Sequence, residues 1–234
     1  MDIQKFLSGG GKPGSGTEPR FHLAIYGKHP GWDDHIPNIG LETDSLALSK
    51  SILYVNGIRG QIDSGEWEKL GPEESIEQFD HTFLWTKNGT SFLVGSMWAS
   101  QDGKGRARYP MIVVAEAAGV AVSQALARIL PEFERFRAFC ESVKTGREVT
   151  AELDRLREEL KRGISTLSPA DDVLADQRPA LAEVLGGPTM EGEKHLRVLY
   201  QIDNRFQPFA PGLVEGPLSD FEMGESLRLP RNGL

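Results

Sequence analysis

An Asn-Gly pair set between two apolar runs fixes the middle of this chain. His81-Thr-Phe-Leu-Trp-Thr-Lys87 precedes Asn88-Gly89, and Thr90-Ser-Phe-Leu-Val-Gly-Ser-Met-Trp98 follows it. Asn-Gly is favoured where both turn residues need positive φ, so the segment predicts a β-hairpin. Beyond the polar loop Ala99–Arg108, Tyr109-Pro-Met-Ile-Val-Val-Ala-Glu-Ala117 is another apolar, β-branched run. Three runs joined by short loops predict an antiparallel meander. Both faces are largely apolar, which calls for helices on both sides.

Phe21–Gly27 predicts a further buried strand ended by a glycine, and Leu196–Ile202 one more, giving about five in all. A helix is predicted from about Ser45 to Arg59, capped by Asp44, with Leu46, Ser49, Leu53 and Asn56 on one face. Ser123–Leu130 leads through Pro131 into a helix on which Phe133, Phe136, Cys140 and Val143 recur at helical spacing. Thr145 to Glu148 has the form of a capping box. After it Val149, Leu153, Leu156, Leu160 and Ile164 mark one apolar stripe, read as core. A short helix is expected over Pro179–Leu185, and a loop with one short helix from Trp67 to Gln78.

The fold class expected is therefore α+β. Its ordered domain is placed at 21–203, after a flexible glycine-rich segment (1–20) and before an extended proline-rich tail (204–234). Lys12 in the glycine-rich segment is followed by Pro13, so the P-loop pattern is not met.

Net charge is −8 over 234 residues, which argues against general binding to nucleic acid or anionic membrane. No window approaches 18 consecutive apolar residues, and the first residues lack the apolar core of a signal peptide. A single cysteine, Cys140, excludes an internal disulfide and a CxxC zinc site. A cytoplasmic protein is expected.

Two loops concentrate chemistry. Gly27-Lys-His-Pro-Gly-Trp-Asp-Asp-His35 holds two histidines, two carboxylates, a lysine and a tryptophan just past a strand end. His29, Asp33 and His35 are ligand types that suit zinc, iron or manganese. No helical His-x-x-x-His spacing enforces their convergence, so the alternative is turn chemistry, with Asp33 or Asp34 bonding backbone amides and Trp32 packed as an anchor. Ser100-Gln-Asp-Gly-Lys-Gly-Arg-Ala-Arg-Tyr-Pro110 places an aspartate among three cations between two strands. Arg106 and Arg108 there suit an anion or a phospho-residue, an internal Asp–Arg pair suits a loop held open for a partner, and a solvated turn is equally compatible. Cys140 lies on an apolar helix face and reads as a packed thiol. His81 and His195, each just before or at a strand, read as surface residues.

These two loops together resemble the type VI secretion-associated TagF family. Ile25-Tyr-Gly-Lys-His-Pro-Gly-Trp-Asp-Asp-His-Ile36 is similar to its opening motif, approximately aromatic-Gly-Lys-x-Pro-x-x-Gly-Asp-Phe. Gly95-Ser-Met-Trp-Ala-Ser-Gln-Asp-Gly-Lys-Gly-Arg-Ala-Arg-Tyr-Pro110 is similar to a strand followed by approximately Ser-x-Asp-x-x-Gly-Arg-x-x-Pro-Leu. Trp67 falls in the tryptophan-bearing region between them, and the likeness spans about residues 21–120. Gly27, Lys28, Pro30 and Asp34 match the first motif; Ser100, Asp102, Gly105, Arg106 and Pro110 match the second. Asp33 stands where the family has glycine and His35 where it has phenylalanine, and one extra residue separates Arg106 from Pro110.

The resemblance implies a non-enzymatic, cytoplasmic accessory protein of a bacterial type VI secretion system. Such a protein represses assembly after translation by binding a forkhead-associated scaffold protein, with no cofactor or metal. Partner contact is then expected from Lys28, Trp32, Asp34, His35, Asp102, Arg106 and Arg108, on a frame set by Gly27, Pro30, Ser100, Gly105 and Pro110. If the strands flanking the two loops are neighbours, Asp34 and Arg106 can pair and tie the loops into one surface, with Trp32 and His35 as its aromatic anchor. The rival expectation is a metal-dependent hydrolase using His29, Asp33, Asp34 and His35.

Overall fold

Four antiparallel strands form one side of the sheet in the computed structural model, which describes residues 18–59, 63, 65, 79, 81–88, 90–107, 109–173, 198–202 and 208–213. They are β1 (Arg20–Gly27), β2 (His81–Asn88), β3 (Ser91–Ser100) and β4 (Tyr109–Ala118). β5 (Val198–Ile202) and β6 (Pro208–Leu213) extend it, in the order β1-β4-β3-β2-β5-β6. The hairpin around Asn88-Gly89 pairs His81 with Met97 and Asn88 with Ser91. β6 falls where the sequence suggested only a tail and takes the sheet past the expected five strands. It is the edge strand of the order, the place in a sheet where prolines are tolerated.

Pairing of β1 with β4 positions the two motif loops. Gly27, the last residue of β1, lies opposite Met111 near the start of β4, so the loop after β1 and the loop before β4 share one end of the sheet. The strand adjacency on which an Asp34–Arg106 contact depends is therefore present.

Alternation along each strand supplies two apolar faces. Leu23, Ile25, Val94, Trp98, Met111, Val113 and Ala115 point to one face. It is covered by α2 (Val122–Ser142), through Ile129, Phe133, Phe136 and Cys140, and by α3 (Gly146–Ser165), through the predicted stripe Val149, Leu153, Leu156, Leu160 and Ile164. Thr145 caps α3, its hydroxyl oxygen accepting from the Glu148 N–H at 3.3 Å. Pro131 sits inside α2, one unbroken helix despite it. Ala24, Tyr26, Leu93, Met97, Ile112 and Val114 point to the opposite face, against Leu46, Leu53, Tyr54 and Ile58.

That second cover departs from the expected single helix over Ser45–Arg59. α1 (Asp44–Ser49) is a true α-helix, capped by Thr43 rather than Asp44, and Lys50–Arg59 continues as a π-helix. The wider π turn explains the buried steps Ser49 to Tyr54 and Leu53 to Ile58, five residues apart, which a 3.6-residue period cannot align. The expected helix at 179–185, the Trp67–Gln78 region, most of the 1–20 segment, Arg108 and His195 lie outside the described residues. Among the described residues, no helix is long and apolar enough to cross a membrane.

Gly95 of β3 leaves no room for a side chain. It lies opposite Phe83, and a Cβ placed on it would meet the Phe83 ring 2.1 Å away. Gly95→Ala should therefore destabilise by about 1–3 kcal/mol, as overpacking does. Phe83→Leu in the same chain should recover part of that. Urea unfolding measures both, and a Gly95→Ala protein as stable as wild type would contradict this packing.

Candidate functional site

Gly27 turns the chain out of β1 with φ +107°, and a side chain there would collide with the Pro110 carbonyl oxygen, 2.1 Å from its Cβ. Lys28 follows, its N–H donating to that same carbonyl at 3.0 Å. Ile36 N–H donates back to the Gly27 carbonyl at 2.8 Å, so the loop between is closed at its base. Trp32 C=O accepts from the Gly103 N–H at 2.6 Å, which joins the first loop to the second through backbone.

Asp102 lies at that junction with a side chain that is fully buried. Its Oδ1 accepts from the backbone N–H groups of Lys104 and Arg106, each at 3.0 Å, an aspartate-led turn. Its Oδ2 accepts from Lys28 Nζ at 2.8 Å and from Arg106 Nε at 2.6 Å. Burial pushes the Asp102 carboxyl up, but the Lys28 ammonium, the two backbone amides and the Arg106 guanidinium outweigh it and hold it well below the usual carboxylate range. Lys28 is as deeply buried, and its ammonium lies 4.3 Å from the centre of the Tyr109 ring.

The expected Asp34–Arg106 pair is present. Arg106 Nη2 donates to Asp34 Oδ1 at 3.0 Å and to the Asp33 carbonyl at 3.0 Å. This end of the cluster is open to water, with the Arg106 side chain 53% and the Asp34 side chain 65% exposed.

The two aromatic residues expected to form one anchor turn to opposite faces. Trp32 is half-buried, packed over Gly146 at the start of α3, where a Cβ would come within 2.7 Å of its ring. His35 lies edge-on to Tyr54 and Tyr109, and its Nδ1 is 2.8 Å from the Tyr54 hydroxyl. Tyr109 donates its hydroxyl to Asp63 at 2.8 Å, and burial together with that carboxylate raises its pKa to about 12. The π-helix is thereby attached to the first loop, a connection that no local spacing in the sequence announces.

The metal reading loses its geometry. His29 is buried and its Nε2–H donates to the Cys140 carbonyl at 2.9 Å, while its Nδ1 accepts from the Gly31 N–H at 2.9 Å. Asp33 and Asp34 are exposed, and His35 faces the tyrosines. Among the described residues, no group of three or more His, Cys, Asp or Glu side chains is placed to hold a metal ion. Of the remaining expected residues, Ser100 pairs with Tyr109 across β3 and β4, and Gly105 takes φ +78° in the second loop. Pro30 lies beside Gly103, and Arg108 is outside the described residues. Tyr54, Tyr109 and the Cys140 carbonyl were not singled out from the sequence. Tyr109 alone carried a hint, its place directly before Pro110.

No protein-family model and no curated protein matches the chain. Among solved structures, PA0076 from Pseudomonas aeruginosa PAO1 is similar. It is 15% identical over 88% of this chain and 93% of its own, with a TM-score of 0.49.

Two outcomes follow from the cluster. Asp102→Asn leaves the buried Lys28 charge without its partner and should cost about 3–5 kcal/mol. Asp34→Asn, at the exposed end, should leave the urea midpoint nearly unchanged, and equal effects of the two would contradict the burial pattern. His29 is held neutral: burial lowers its pKa, its Cys140 bond partly opposes this, and Lys144 lowers it further. A lowered folded-state pKa means stability is complete above the unfolded value, about 6.5, and falls as pH drops below it. Unfolding midpoints across that range should fall less steeply in His29→Gln than in wild type; identical slopes would refute the role of His29.

Proposed function

We propose that this chain is a non-enzymatic accessory protein of a bacterial type VI secretion system, acting in the cytoplasm after translation. It represses assembly by binding a forkhead-associated scaffold protein. The observation that supports this most is the junction at Asp102. Two segments that resemble TagF motifs, with Asp34 and Arg106 72 residues apart, meet through one carboxylate and offer one charged, solvent-facing end.

The chemistry of the cluster favours recognition over catalysis. Lys28 is bonded to a carboxylate and lies against an aromatic ring, so its amine is not presented as a nucleophile. Burial pushes the Cys140 thiol up, and neighbouring Glu152 and Glu141 add to this, which disfavours the reactive thiolate. Both ring nitrogens of His29 are engaged. What reaches solvent is the Asp34–Arg106 pair.

The test is to express the tagged protein beside the forkhead-associated scaffold encoded with the same secretion apparatus. Retention of the scaffold is expected, together with fewer assembled apparatuses per cell when this protein is overproduced. A folded protein that neither retains the scaffold nor changes assembly would refute the proposal.

A further inference from the structure

Arg106 is held by more bonds than its exposure would require. Nε is fixed to a carboxylate that has no exposed surface, and Nη2 is fixed to the Asp33 carbonyl. Both anchors stay in place if Asp34 swings away. The guanidinium plane is therefore set by the interior, while its outer edge faces water.

Charge accounting gives Asp34 a different role from Asp102. Lys28 and Asp102 neutralise each other inside the protein, and they do so without Asp34. Arg106 is the next positive charge outward, and Asp34 is the carboxylate that meets its outer edge. An ion pair as exposed as this holds weakly in water, so a second carboxylate can replace the first at little cost. Nη1 of Arg106 has no partner among the described residues, which leaves room for the two-bond fork that guanidinium groups make with carboxylates. The exposed Lys104 stands two residues away on the same loop.

We propose that Arg106 is the anchor for an aspartate or glutamate side chain on an acidic segment of the partner protein, and that Asp34 occupies this place in the free protein as an internal competitor. The claim rests on the reading that this chain binds a partner, and it names the chemistry of the contact. A carboxylate is favoured because it exchanges one charge for one and reproduces the geometry Asp34 already shows. A phosphate would bring a second negative charge, beyond the single one that Asp34 sets against Arg106. The preset guanidinium lowers the ordering cost of binding, which is the usual gain from a preorganised site.

The decisive property is a pair of opposite effects. Removing the competitor should strengthen binding, whereas removing the anchor should abolish it. Wild type, Asp34→Asn and Arg106→Gln are titrated at low ionic strength with two probes: a hexaglutamate peptide and the forkhead-associated scaffold. Backbone amide NMR of residues 102–106 reads the first, and calorimetry reads the second. Hexaglutamate should bind Asp34→Asn several-fold more tightly than wild type, and Arg106→Gln should show no saturable shift.

Asp34 is exposed, so its variant folds whatever becomes of Arg106→Gln, and its gain is sufficient to support the proposal. Loss of peptide binding in Asp34→Asn, or equal weak shifts in all three proteins, would overturn it even where the scaffold binds. A phosphothreonine peptide that depends on Arg106 more strongly than hexaglutamate would overturn the assignment to a carboxylate. Ordered peptide affinities with no scaffold binding would support the anchor and refute the proposed partner.

Discussion

A carboxylate without exposed surface, Asp102, is bonded at once to an ammonium, a guanidinium and two backbone amides. Burying one such charge is costly, and it persists because every lone pair it presents is answered. Its partners come from different parts of the chain. Lys28 follows β1, whereas the two amides and Arg106 belong to the loop before β4. Satisfying Asp102 therefore forces these loops together, which their shared end of the sheet allows. Elsewhere the fold is ordinary two-sided packing, with apolar rows on both sheet faces and helices laid over them.

Around this centre each nearby side chain is recruited to one face. His29 and Trp32 fasten the first loop to the end of α2 and the start of α3. His35 fastens it to Tyr54 of the π-helix and to Tyr109. The loop is thus gripped from both covers of the sheet, and its exposed remainder is mainly Asp33 and Asp34. A segment rich in histidine and aspartate suggests a metal; its two histidines are engaged instead in holding the loop.

What could be read from the residues follows a physical rule. The hairpin and the stripe from Val149 to Ile164 depend on local φ preferences and on period, and both are present, although Asn88 ends β2 opposite Ser91 instead of entering the turn with positive φ. Nearness of Asp34 and Arg106 also followed, since it needs only that β1 and β4 be neighbours. The π-helix was not legible, because an apolar pattern over so few turns does not separate a 3.6-residue period from a wider one. Nor was the standing of Asp102, as an aspartate among glycines and cations has the same composition whether it is solvated or buried. Loops tied by Asp34 and Arg106 suggest one surface for Trp32 and His35, but the two rings pack apart, against Gly146 and against Tyr54 and Tyr109. The Cys140 carbonyl is a backbone group and has no sequence signature at all.

The arrangement separates support from display: Lys28 and Asp102 hold a charged pair inside, and Arg106 carries that order outward to the surface. The Asp102 carboxyl therefore remains ionised for as long as the protein stays folded. The most direct measurement is the carboxyl ¹³C chemical shift of Asp102 followed by NMR from neutral to strongly acidic pH. No titration is expected until unfolding intervenes. A midpoint near 3.9, that of an unperturbed aspartate, in the still-folded protein would contradict it.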